Sequence, residues 1–254
     1  MKMVSRTDIG KVRLVNEDRA TIQHELGGLS LAIVADGMGG HQAGDIASQM
    51  AIDMIQAQLQ SIHWGMPVEA CKQVLKEAIE HANEKIYEFA SGQENYHGMG
   101  TTVVAVIASQ ELIIIGHIGD SRAYKITDDA ITQLTEDHSL VYELVKNGQI
   151  TMEEADHHPR RNWITRALGT EPGVEVDLYE YAWRPGETIL ICSDGLSGLV
   201  DANEIQRIVK SHANLEEAAE HLIQSALDEG GDDNVTVVLL AHDQDSDEKR
   251  GDEN

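Results

Sequence analysis

The sequence predicts an α+β fold in which antiparallel β-sheets are stacked and covered by paired helices. Two observations carry this. Short apolar runs of strand character recur along the chain, and several end abruptly in aspartate. Helical periodicity comes in pairs between groups of such runs rather than alternating with them one by one, which disfavours a parallel doubly wound sheet. A chain of 254 residues is long enough to bury a substantial core.

Taken in order, residues 3–8 and 19–23 read as short strands, and 29–35 as a buried strand ending at Asp36. Residues 42–60 form a helix with Ala43, Ile46, Ala47, Met50, Ala51, Met54, Ile55 and Leu59 on one face. Met50 and Met54 at that spacing are core filler. A second helix over 67–90 starts at Pro67, with Val68, Cys71, Leu75, Ile79, Ala82, Ile86 and Phe89 in one stripe. Strands at 102–108, 111–118 and 121–126 supply the surface that these helices cover. From Thr135 to Thr170 the chain turns polar, with Pro159 and no long apolar run, and reads as an inserted lobe. Strands return at 174–181 and 187–193, followed by helices at about 202–211 and 214–229. Asn214 with Glu217 caps the second of these, and Gly230-Gly231 ends it. A strand at 235–241 closes the domain.

Nineteen basic against 44 acidic residues give a net charge of −25, which argues against a nucleic-acid partner or an anionic membrane surface. Cys71 and Cys192 lie in apolar periodic stretches and read as buried free thiols of a reducing compartment. The first residues lack the apolar core of a signal peptide, and no run approaches the length of a membrane span, so a cytoplasmic monomer is expected. Residues 243–254 hold six acids, two bases and no apolar side chain, and read as a disordered acidic tail. Asp243-x-Asp245-x-Asp247 mimics the start of a calcium loop, but Glu248 and Asn254 stand where glycine and glutamate are needed.

The aspartates that end the apolar runs, with glycines beside them, are the oxygen donors that hard divalent cations require. Arg13-x-x-Asn16-Glu17-Asp18, Asp36-Gly37-Met38-Gly39-Gly40, Gly100-Thr101-Thr102, Gly119-Asp120-Ser121-Arg122, Thr135-x-Asp137-His138, Ser193-Asp194-Gly195 and Gly231-x-Asp233-Asn234 follow one another in that order. From about Thr7 to Ala241 this set resembles the metal-dependent Ser/Thr protein phosphatases of the type 2C class (PPM family), in their short bacterial form. The resemblance implies a four-layer α/β/β/α sandwich: two antiparallel sheets flanked by pairs of helices. It also implies one phosphatase domain over residues 1–242, with a flap lobe at about 138–170.

It implies a site as well. Asp36 would bridge two Mn²⁺ or Mg²⁺ ions and the Gly37 carbonyl would bind one of them. Asp194 and Asp233 would hold the first ion, and Glu17 and Asp18 would act mostly through water. Asp120, shared with Asp194, would hold a third and weaker ion, and Arg13 would grip the phosphate. Substrates would be phosphorylated proteins, with a membrane Ser/Thr kinase and its targets as opponents. The alternatives are a phosphatase of small phosphate esters and a non-catalytic phosphoprotein-binding module.

Several residues keep a second reading. Asp120 would otherwise pair with Arg122, Glu17 would otherwise be surface charge, and Asn234 reads as a turn or hydrogen-bonding residue. Neither cysteine has the arginine that a cysteine-based phosphate cradle needs. The leaving-group acid is open between His41 and a metal-bound water, because Met38 stands where some eukaryotic relatives carry histidine. His138, His157 and His158 read as surface or substrate-facing.

Overall fold

The computed structural model describes residues 1–39 and 43–242. In chain order the strands and helices are β1 (Lys2–Asp8), β2 (Asp18–Leu26), β3 (Leu29–Met38), α1 (Ala43–Gln58), α2 (Val68–Ser91), β4 (Gly100–Thr101), β5 (Val103–Ala108), β6 (Leu112–Ile118) and β7 (Arg122–Ile126). They continue with β8 (Ile131–Gln133), α3 (Leu140–Lys146), α4 (Met152–Asp156), β9 (Asp177–Ala182), β10 (Thr188–Cys192), α5 (Asp194–Ser197), α6 (Ala202–Ser211), α7 (Leu215–Asp228) and β11 (Val235–Ala241). Every strand pair is antiparallel; one sheet runs β1-β11-β10-β7-β8 and the other β2-β3-β5-β6-β9, with β4 on β3.

Side-chain alternation along each strand sorts the core into three layers. On β3, Leu31, Ile33 and Ala35 pack under α1 and α2, while Ala32 and Val34 face the other sheet. On β11, Val235, Val237 and Leu239 pack with Leu222, Ile223 and Ala226 of α7, while Val238 and Leu240 join the layer between the sheets. Both faces of each sheet are therefore covered, which is why β3 and β11 are apolar at nearly every position. The order helices, sheet, sheet, helices is the four-layer α+β sandwich.

Caps follow local chemistry. The Asn214 side chain accepts from the Glu216 amide, so the cap forms without the expected reach to Glu217. Thr151 and Glu154 close a capping box on α4, in the polar stretch expected to be a lobe. That stretch is tied down at Ser139↔Ile164 and Thr101↔Leu168. Among the described residues no helix is long and apolar enough to cross a membrane. The acidic tail and His41 lie outside the described residues.

Candidate metal centre

The edge where the two sheets meet gathers the carboxylates. The register of β2 on β3 sets Asp18 directly beside Asp36. Asp36 is locked by its backbone: its amide donates to Thr102 Oγ1 at 3.0 Å, and its carbonyl accepts from the Thr102 amide and Thr101 Oγ1, each at 2.9 Å. Gly37 follows because nothing larger fits, since a Cβ there would lie 2.1 Å from the Gly44 carbonyl oxygen. From the other sheet, β10 delivers Asp194 as the first residue of α5, and Asp233 stands two residues before β11.

These carboxylates lie near enough to feel one another's charge. Burial raises the Asp36 carboxyl well above its ordinary value, and the charges of Asp18, Asp194, Asp120 and Asp233 raise it further. Asp194 is raised by burial and by Asp233, and a hydrogen bond with Asp36 pulls it partly back. Asp120 is pushed to about 8 by burial and then by Asp194. Asp18 reaches about 6 for want of water, although Ser193 Oγ donates to its Oδ2 at 2.7 Å. Carboxylates so arranged repel one another and gain most from a cation placed among them.

Two observations test whether the residues fit divalent ions. Asp18 Oδ1 and Asp120 Oδ1 are buried and have no hydrogen-bond partner. An orphaned buried carboxylate oxygen costs folding free energy unless something binds it. The donor set is also all oxygen, as Mg²⁺ and Mn²⁺ prefer. The residues fit.

The remaining expected residues stand at the margin. Arg13 Nη2 donates to Asp233 Oδ2 at 2.6 Å from a half-exposed position. Glu17 is partly buried and accepts from the Gly44 amide at 3.2 Å, so it is not loose surface charge. Asn234 is the hydrogen-bonding residue expected: it donates to the carbonyls of Ile9 (2.9 Å) and Val15 (3.0 Å) and accepts from the Glu17 amide (2.8 Å).

Other readings need correction. Arg122 does not pair with Asp120; it grips Asp137 through Nε at 2.9 Å and Nη2 at 2.7 Å. His138 is buried rather than surface-facing, and its ring lies between the Gly119 amide and Asp177. Ser193, Ser121 and Thr102 stand in the quoted motifs, but the hydrogen bonds of their hydroxyls were not foreseen: Ser193 Oγ to Asp18, and Thr102 Oγ1 with Ser121 Oγ at 2.7 Å. Both cysteines are free and buried, and burial pushes the Cys192 thiol up to about 12.

A cavity of about 680 Å³ opens beside Asp120 and Asp194, walled by Val141, Tyr142 and Val145 of α3, by Met152 of α4, and by Leu199 and Val200. The polar stretch around α3 and α4 thus faces Asp120 and Asp194 across a groove of mixed character, whose walls also carry Gln133, His157, Arg161 and Asn162.

A family profile described as protein phosphatase 2C matches residues 10–230. The chain is 41% identical over 238 residues to the serine/threonine phosphatase stp of Listeria monocytogenes, spanning 94% of each. It superposes on the crystal structure of the serine/threonine phosphatase Stp1 of Staphylococcus aureus with a TM-score of 0.90 and 37% identity, over 94% of each chain. The catalytic domain of the phosphatase PstP, solved with two manganese ions, gives a TM-score of 0.81 at 36% identity, over 94% of this chain and 96% of that one. The chain belongs to the protein phosphatase 2C family.

Proposed function

We propose that the protein is a metal-dependent phosphatase that hydrolyses phosphoserine and phosphothreonine in proteins. The observation that carries this reading is the set of buried and half-buried aspartates whose charges raise one another, two of which, Asp18 and Asp120, keep a buried oxygen without a partner. Asp36, the Gly37 carbonyl, Asp194 and Asp233 would hold two Mn²⁺ or Mg²⁺ ions, with Glu17 and Asp18 orienting the site through water. Asp120 and Asp194 would hold a third, weaker ion. When bound, the ions supply charge neutralisation at phosphorus and activate the attacking water.

The chain's own residues do the rest. Arg13 keeps free N–H groups on an exposed fork and binds two oxygens of the phosphoryl group, orienting it for in-line attack. Ser193 holds Asp18 by one oxygen and leaves the other buried without a hydrogen-bond partner. Thr101 and Thr102 fix the Asp36 backbone, so the carboxylate does not retreat from its neighbours. The groove of about 680 Å³ alongside, with apolar and hydrogen-bonding side chains in its walls, takes the polypeptide that carries the phosphate, which favours protein substrates over small esters. Those substrates are the products of a Ser/Thr kinase, with a membrane kinase and its targets as the natural set.

The test is turnover of a phosphopeptide and of a small aryl phosphate, with Mn²⁺ or Mg²⁺ added and with a chelator. Activity should require metal and survive a thiol alkylator. Full turnover in EDTA would sink the reading.

A further inference from the structure

Beneath the Asp120 turn, the donor atoms of His117, His138 and Asp177 lie within 4.8 Å of one another, the only such trio among the described residues. Three donors so close suggest a metal. The protons argue otherwise. His117 Nε2 lies 3.0 Å from the Ser121 carbonyl, which only accepts, so Nε2 carries that ring's hydrogen. His138 Nδ1 lies 3.0 Å from the Gly119 amide, which only donates, so Nδ1 offers its lone pair and the hydrogen sits on Nε2. That hydrogen points at Asp177 Oδ2, 3.1 Å away. A cation on His138 Nε2 would need a doubly deprotonated ring, or a ring that has released Gly119.

The geometry points to His138 as a positioning residue that aims Asp120, with Asp177 setting its tautomer. Asp120 Oδ1 has no hydrogen-bond partner, so nothing at that oxygen fixes its direction. The direction is inherited from the backbone. Gly119, one residue earlier, has φ of +107°, and a Cβ there would lie 2.5 Å from Thr102 Cγ2. The turn is therefore held between Thr102 on one side and the His138 ring on the other. Asp177 is held in turn by Arg166 Nη1 at 2.7 Å. The Thr165 amide donates to the His138 carbonyl at 2.8 Å, so residues 165–166 grip both ends of the arrangement. Burial alone would raise Asp177, but hydrogen bonds from His138 and Arg166 outweigh it and hold the carboxyl below its ordinary value. Burial lowers His138, which keeps the ring neutral and its Nδ1 free to accept.

This rests on the reading of Asp120 as the ligand of a weak third cation. The two come apart in calorimetric titration of the metal-stripped full chain with Mn²⁺, without substrate and with melting recorded for each variant. Asparagine at 138 puts an acceptor where Nδ1 was and does not reach Asp177. Glutamine keeps a donor near Nε2 and loses the acceptor. Asp177→Asn offers one acceptor where three donors converge: His138 Nε2 and the Tyr179 hydroxyl (3.3 Å) on Oδ2, and Arg166 Nη1 on Oδ1. His138→Gln and Asp177→Asn should each weaken the weak ion on the order of tenfold, the range seen for residues that orient metal ligands, and leave the tight ions unchanged. His138→Asn should bind that ion like wild type and make Asp177→Asn silent for it in the double variant.

Retention of the weak ion by both His138→Gln and Asp177→Asn overturns the proposal. So does an Asp177→Asn penalty that persists beside His138→Asn. A wild type that binds no weak ion fails earlier, at Asp120 itself, and takes the relay with it. Should His138→Gln not fold, the Asp177→Asn cycle with His138→Asn decides alone.

Discussion

Arg13 donates to Asp233 at 2.6 Å, so the guanidinium assigned to phosphate lies on a carboxylate assigned to metal. An ion at Asp233 and the guanidinium therefore compete for the same oxygen. Arg13→Ala should raise KM for a phosphopeptide more than Arg13→Lys does, because lysine keeps the charge but loses the fork. The same alanine variant should bind Mn²⁺ more tightly without substrate. Steady-state kinetics and calorimetry read the two effects. Unchanged KM in both variants would remove the phosphate role.

Metal should stabilise the fold, since cations relieve repulsion among the buried aspartates. At a hundredfold excess over Kd, an ion that binds only the folded chain adds about 2.7 kcal/mol. For a domain of this size that is a rise in Tm of roughly 5–10 °C. Asp36→Asn should gain less from Mn²⁺, lose nearly all turnover, and melt above wild type in EDTA, having shed one repelling charge. Identical wild-type melts with and without metal would contradict the clustered site.

The pH dependence of the metal-free protein has a defined sign. Asp120 at about 8 and Asp18 at about 6 are raised above the ordinary 3.8, so their contribution is full below that ordinary value. It is lost as pH rises through the folded values. His117, lowered by burial to about 3 from an ordinary 6.5, works oppositely, contributing above 6.5 and losing it as the medium acidifies. Between pH 6.5 and 8.5 the carboxylates dominate. Melting in EDTA should be lower at pH 8.5 than at 6.5, and Asp120→Asn should flatten the difference. A wild-type slope of opposite sign would mean these acids are not raised.

Residues of the groove should tune protein substrates and spare the chemistry. Val145→Ala and Met152→Ala each remove apolar surface from the wall, and about 1 kcal/mol per lost contact is roughly a fivefold fall in kcat/KM for a phosphoprotein. Turnover of a small aryl phosphate should hold. An equal loss on both substrates would place catalytic groups in this stretch.

The architecture was legible because burying both faces of a strand leaves an unbroken apolar run, and because each run stops where its carboxylate must. Asp36, Asp120 and Asp194 were singled out by that stop, and Asp233 by its place just before a strand. The two-residue β4 and three-residue β8 left no such signal. The alternative of an Asp120–Arg122 pair fails because Asp137 takes Arg122, and Asp137 reaches it only through the β7–β8 hairpin, a pairing of Tyr124 with Gln133. His138 was misread because its neighbours Glu136, Asp137 and Ser139 are polar, which usually marks surface. Asp137 and Ser139 are in fact buried beside it. Polar residues are buried when distant partners satisfy them, and periodicity is blind to distant partners.

The pairing of β1 with β11 matches Asp8 with Val235, and Asn234 fastens the Ile9–Glu17 segment to the start of β11. The opening motif is thus held in place by a strand made more than two hundred residues later. A growing polypeptide that has not yet produced β11 can pair Asp18 with Asp36 across β2 and β3, but it lacks the strand that joins β1 to β10. The anchorage of the Arg13–Asp18 segment is therefore among the last parts of the molecule to be completed during synthesis.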